Sequence, residues 1–160
     1  NDGEGGAQAQ AQMLRAGIAQ EEGRTKEAIA LFEGVAANGD VPDSVRDLAE
    51  LRAVIAGYDT LKPAEVIRRV TPLAQEGEPF YGSAAEVLAM AHLEAGDDKK
   101  AGALFAKLAE NEDVPETIRG RARQMASVLG VDAVGDVDEL VKNLRGSAAN
   151  GRAVAPPPAQ

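Results

Sequence analysis

The stretch Gly23–Gly57, GRTKEAIALFEGVAANGDVPDSVRDLAELRAVIAG, comes back 73 residues later as Gly96–Gly130, GDDKKAGALFAKLAENEDVPETIRGRARQMASVLG. Ala28, Leu31, Phe32, Ala36, Asn38, Asp40, Val41, Pro42, Arg46, Ala49 and Ala53 return as Ala101, Leu104, Phe105, Ala109, Asn111, Asp113, Val114, Pro115, Arg119, Ala122 and Ala126. Shared alanines alone would be weak evidence. The turn Asn-x-Asp-Val-Pro, with an arginine four residues past the proline, does not arise from composition. The chain holds a tandem duplication, and a fixed internal period is the signature of stacked supersecondary units.

Within the repeated stretch the period is helical. In Lys26–Ala37 the apolar residues Ala28, Ile29, Leu31, Phe32, Val35 and Ala36 recur at three- and four-residue steps, and 84–93, 101–109 and 118–129 read the same way. No run of alternating β-branched residues argues for a strand. Breaks rich in Gly, Asn, Asp and Pro fall at 23–24, 38–40, 57–63, 76–79, 96–98, 111–115 and 130–136. Eight helical stretches lie between them. Pro42-Asp43 and Pro115-Glu116 place a proline at a helix start and a carboxylate in its first turn, where the helix dipole favours it. Ser83 and Glu86 have the spacing of a capping box.

Composition narrows the function classes. The 160 residues include 31 alanines, no Trp and no Cys, and only 3% are aromatic. Such a chain favours closely packed helices over a large aromatic-lined cofactor cavity. Without cysteine there is no disulfide framework, thiolate metal site or cysteine nucleophile. The net charge of −9 argues against a nucleic-acid partner, which requires clustered Lys and Arg to neutralise phosphate. No uninterrupted apolar run is long enough to span a bilayer.

Each period of four helices divides into two helix–turn–helix units. The leading unit of the first period places small residues at Ala16 and Ala19, then Gly23, Ala28 and Phe32; the second has Ala89, His92, Gly96, Ala101 and Phe105. That spacing resembles the tetratricopeptide (TPR) consensus of about 34 residues. The trailing units, 43–75 and 116–145, are degenerate. The expected fold class is all-α, a right-handed α-α superhelix of about four TPR-like helix pairs over residues 13–145. Residues 1–12 read as a flexible lead-in that becomes helical near Ala9, and 146–160, with Pro156-Pro157-Pro158, as a disordered proline-rich tail.

Three further segments sharpen the resemblance: Pro79-Phe80-Tyr81-Gly82-Ser83-Ala84-Ala85-Glu86-Val87-Leu88, followed by Ala91-His92-Leu93-Glu94-Ala95-Gly96-Asp97; Val41–Ala49; and Arg119-Gly120-Arg121-Ala122. Together, over about residues 13–130, they resemble the TPR-like ancillary subunit family of the bacterial Sec translocon. The resemblance implies a periplasmic helical-repeat domain tethered to the inner membrane by one transmembrane helix absent from this chain. It also implies a non-catalytic protein-protein interaction scaffold of the cell envelope, with the translocon or periplasmic chaperones as partners. Two alternatives stand beside it: a self-associating assembly module, and an accessory domain of a larger envelope protein. A monomer or weak dimer is expected.

Little in the sequence suggests chemistry. His92, the single histidine, occupies a packing slot of the repeat, and one His without Cys makes no conventional zinc site. Asp97 and Asp98 stand at a helix start, where carboxylates are ordinary caps. No catalytic, cofactor or metal-binding residues are expected. In TPR-like stacks the first helix of each unit lines the concave face. The consensus transferred by position nominates Met13, Gly17 and Gln20; Asp43, Arg46 and Glu50; Glu86, Met90 and Leu93; and Arg119 and Arg123 as the partner-binding groove. The competing expectation is that these arginines pair with neighbouring acids and the apolar residues pack between helices.

Overall fold

Short turns set by a few residues divide the chain into helices. A computed structural model describes residues 2–130; the eighth expected helical stretch and the proline-rich tail lie outside the described residues. The described part is all-α: α1 (Asp2–Glu21), α2 (Thr25–Ala36), α3 (Asp43–Gly57), α4 (Pro63–Val70), α5 (Tyr81–Glu94), α6 (Asp98–Glu110) and α7 (Glu116–Val128). A single 3-10 turn, Tyr58–Thr60, follows α3.

The two copies of the repeat turn in the same way. Gly23 and Gly96 have φ of +73° and +79°, a left-handed conformation that penalises side chains by about 1–2 kcal/mol, and each lies in the tight turn between consecutive helices. At the second turn Asn38 Oδ1 accepts from the Asp40 amide at 3.0 Å, and Asn111 Oδ1 from the Asp113 amide at 2.9 Å. These Asx turns tuck Val41 and Val114 into the interior. Pro42 and Pro115 then cap α3 and α7 in matching extended geometry, their carbonyls accepting from the amides of Arg46 and Arg119 at 3.1 and 3.0 Å.

Packing runs almost wholly between helices that are consecutive in sequence, α1 on α2 on α3 and α5 on α6 on α7, with α5 also meeting α7. Small residues permit the close approach. Ala16, Ala19, Ala28 and Ala53 surround fully buried Phe32, while Ala89, Ala101 and Ala126 share a cluster with buried Phe105. The predicted aromatic plugs therefore occupy equivalent surroundings.

Two details differ from the sequence expectation. α1 is already helical at Asp2, taking in the residues read as a lead-in; its Gly5 lies against the Asp40 backbone, with a Cβ there 3.5 Å from the carbonyl oxygen. The Ser83–Glu86 capping box is absent, because α5 begins two residues earlier, capped by Phe80 without a side-chain bond. Extending the helix buries Tyr81, which outweighs a serine cap of about 1 kcal/mol. Asp97 does cap α6, accepting from the Lys100 amide at 3.2 Å.

The halves are joined through α4. Arg69, with its side chain 10% exposed, donates to Glu50 Oε1 and Oε2 of α3 at 2.6 and 2.9 Å and to Glu33 Oε1 of α2 at 3.1 Å. One guanidinium thus ties three helices, and its bonds to Glu50 raise its already high pKa.

Candidate protein-binding groove

Exposed apolar side chains are unevenly placed. Among the described residues the large exposed ones are Leu14 (69%) and Ile18 (44%) on α1, Ile55 (45%) on α3 and Val128 (75%) on α7. All stand on odd-numbered helices. Among the described residues α2, α4 and α6 carry no large apolar side chain of comparable exposure.

Three odd-numbered helices also enclose a hollow of about 240 Å³, lined by Gln20 of α1, Leu48, Leu51, Arg52 and Ile55 of α3, and Phe80 and Ser83 at the start of α5. Its walls mix four apolar side chains with the guanidinium of Arg52, an amide and a hydroxyl. Such a surface suits an extended or helical segment carrying apolar side chains and a carboxylate. A larger hollow, about 340 Å³, lies between the turn 77–83 and the turn 111–115. In the first half the corresponding space beside Asp40 is approached by the early turns of α1, so that hollow follows from the later start of α5.

Of the residues nominated by sequence, only Gln20 lines the α1–α3–α5 hollow. Gly17 is half-buried beside it on α1. Met13 packs against both clusters of the first half, and Met90 and Leu93 pack against the larger core. Arg46 pairs with Asp43 in the first turn of α3. Its equivalent Arg119 pairs with Glu116 at 2.6 Å, and Arg123 reaches the same carboxylate. Both Arg46 Nε and Arg119 Nε are buried without a hydrogen-bond partner, so the equivalence extends to an orphan donor. Glu50 is engaged by Arg69, and Glu86 accepts two bonds from Arg121 across α5 and α7, at 2.7 and 2.8 Å.

The groove residues that sequence reasoning missed are Leu48, Leu51, Arg52, Ile55, Phe80 and Ser83. Their signal was present in α3: Leu48, Leu51 and Ile55 recur at three- and four-residue steps, a second apolar stripe beside the Ala49–Ala53 core face. The perturbed groups are explained by local partners. Arg123 and Arg119 hold the Glu116 carboxyl below its ordinary range, hydrogen bonding from Lys100 lowers Asp97, and Glu76 at 2.5 Å raises Lys107. Burial, assisted by Glu94, pushes the Tyr58 hydroxyl up to about 12. His92 stays half-buried, its Nδ1 4.0 Å from Asp97 Oδ2.

Among the described residues no group of three or more His, Asp or Glu side chains is arranged to hold a metal ion. Nor is any described helix long and apolar enough to cross a membrane. No family model, curated protein or solved structure matches the chain.

Proposed function

We propose that this protein is a non-catalytic interaction scaffold, a TPR-like stack of helix pairs whose α1–α3–α5 groove receives a segment of another protein. The observation that carries the reading is the confinement of exposed large apolar side chains, and of the 240 Å³ hollow, to odd-numbered helices. In a stack where even-numbered helices form the outer layer, those helices line one continuous inner surface. Helices fixed by a duplicated core hold that surface in place before a partner arrives, so little ordering entropy is lost on docking. The resemblance to the ancillary Sec translocon subunit family favours a bacterial envelope setting, with translocon components or periplasmic chaperones as partners and tethering through an anchor absent from this chain.

The test uses a photo-crosslinking amino acid placed, one position at a time, at Ile55, at Gln20 and at exposed Ala30 of α2 in the full-length protein in living cells. Discrete adducts at Ile55 and Gln20, absent from Ala30, are expected. Adducts of equal yield at all three positions, or none at the groove positions, would exclude the groove as the binding surface.

A further inference from the structure

We propose that Asn38 is a self-modifying site of the folded chain: the Gly39 nitrogen displaces its side-chain amide, leaving aspartate or isoaspartate at the corner that seats α1. The inference does not depend on the groove reading, because this corner lies outside the α1–α3–α5 hollow.

Three conditions favour such an attack, and the corner meets each. The asparagine side chain must fold back along the main chain. The Asp40 amide donates to Asn38 Oδ1 at 3.0 Å, which curls the side chain over the Gly39 peptide unit and draws electron density from its carboxamide carbon. The attacking nitrogen must also be free and uncrowded. Gly39 has no side chain, its amide donates to no backbone carbonyl among the described residues, and the space a Cβ would fill there is empty. Water must reach the product, and Asn38 is half-buried beside exposed Gly39 and Asp40.

The chemistry needs only water besides the chain. The Gly39 nitrogen gives up its proton and bonds to Asn38 Cγ; the Cγ–Nδ2 bond breaks, and Nδ2 takes up a proton and leaves as ammonia. Water then opens the cyclic imide at one of its two carbonyls. Opening at Cγ leaves aspartate. Opening at the main-chain carbonyl leaves isoaspartate, whose backbone runs through the side-chain carbon.

The duplication supplies an internal control. Asn111 Oδ1 accepts from the Asp113 amide at 2.9 Å, and the Asn111 carbonyl accepts from Val114 at 3.1 Å, as Asn38 accepts from Val41 at 3.2 Å. Asn111 is half-buried too. The next residue there is Glu112, whose side chain crowds the nitrogen that would attack, and Asn111 also faces the Tyr81 hydroxyl. Backbone shape does not require the glycine of the first corner, because Gly39 is not among the glycines with positive φ.

The consequence falls on one end of the molecule. The corner tucks Val41 against Ala9, Val35 and Ala49, and Gly5 of α1 lies on the Asp40 backbone. Isoaspartate lengthens the main chain at that point and loosens the α1 contact, and either product adds a negative charge to a chain already at −9.

The test incubates the folded full chain in mildly alkaline buffer and maps its tryptic peptides. Peptide 27–46 holds Asn38, 108–119 holds Asn111, and 146–152 holds Asn150-Gly151, an Asn-Gly pair outside the described residues. Peptide 27–46 should take on the mass change of amide to acid and split into aspartate and isoaspartate forms while 108–119 stays intact. Gly39→Glu, which installs the residue type of the second corner, should keep Asn38 as the amide with the circular dichroism spectrum unchanged. In the isoaspartate form hydrogen exchange should quicken in α1 and the first turn of α3, with α5–α7 as in an equally aged Gly39→Glu chain. A 27–46 peptide that stays amide as long as 108–119 does would overturn the proposal, as would conversion only in urea or undiminished conversion in Gly39→Glu. Unchanged exchange in the isoaspartate form would overturn the loosening of the corner.

Discussion

The α1–α3 half and the α5–α7 half carry the same plug, the same turns and the same capping prolines, yet their interiors are built differently. In the first half the buried residues fall into two small clusters, one around Phe32 and one around Val35 and Val41. In the second half the equivalents, Phe105, Leu108 and Val114, merge into one core that runs back through α4 to Leu51 and Val54 of α3. Two changes contribute: Leu108 is larger than Val35, and α5 is packed on α4, whereas among the described residues α1 has no equivalent neighbour. A repeated sequence fixes the shape of its unit; what lies on either side decides whether neighbouring units share a core. Stability should accordingly be lowest at the α1–α2 end, where few large side chains connect to the rest.

The sharpest way to break this comparison is to remove the plugs. Phe32→Ala and Phe105→Ala should each cost about 3–5 kcal/mol in urea unfolding, with Phe105 the costlier because its cavity opens in the continuous core. A loss below about 1 kcal/mol at either site would show that the two phenylalanines are not equivalent core residues. Next in size is the Arg69 clamp on α2 and α3. Arg69→Met should cost about 2 kcal/mol, since it leaves Glu50 and Glu33 without their partner. It should also raise hydrogen exchange in α4 before α6.

A smaller effect tests a helix–turn contact where the halves exchange residue types. Ala9 is buried in the cluster with Val41, and its equivalent Gly82 faces Val114, where an added Cβ would sit 3.1 Å from Val114 Cγ1. Gly82→Ala should cost about 1 kcal/mol through overpacking, and Val114→Ala in the same chain should recover part of it. A Gly82→Ala chain as stable as the parent would mean that the second turn yields as the first does.

The smallest expected effect concerns acid. Glu116 and Asp97, both in the second half, have folded pKa values lowered from ordinary values of 4.5 and 3.8. A lowered folded pKa adds stability that is fully present above the unfolded value and lost as pH falls through the folded one. Glu116→Gln should therefore flatten the acid limb of the melting-temperature profile below about pH 4.5 without altering it near neutrality. An unchanged limb would mean that the Arg119 and Arg123 pairs are fully solvent-screened.

Much of the fold was legible because its signals are local. The glycines that set the turns, the Asn-x-Asp-Val-Pro corner and the Ala–Phe spacing each act within a few residues, and the duplication displayed them twice. What escaped the sequence depended on distant partners. The early start of α1 could not be read from Asp2-Gly3-Glu4-Gly5-Gly6, a sequence poor in helix formers, since it reflects packing against the Asp40 turn. The cap of α5 gave way to burial of Tyr81. The groove residues of α3 and the Arg69 clamp join elements 19 to 36 residues apart, beyond the reach of a helical period. For the groove, transferred spacing found Gln20; on α3 it nominated Glu50, which Arg69 engages, and Asp43 and Arg46, which pair with each other.

The left-handed glycine that closes α7, Gly130 with φ +73°, matches buried Gly57 at the end of α3, so each half ends on the same residue type. A block running from Tyr58 to Gly130 therefore begins just after one glycine of the repeat, at φ −94°, and finishes on the other. Splicing an extra 58–130 block in after Gly130 would present α4 with an α7 end in place of an α3 end. Ala106→Glu, Arg123→Glu, Gln124→Leu and Ser127→Val, each installing the residue type found at the equivalent place in the first half, would be the edits needed to seat it. Length is thus adjustable in this architecture: four substitutions separate an α6–α7 surface that does not match α4 from the α2–α3 surface that does.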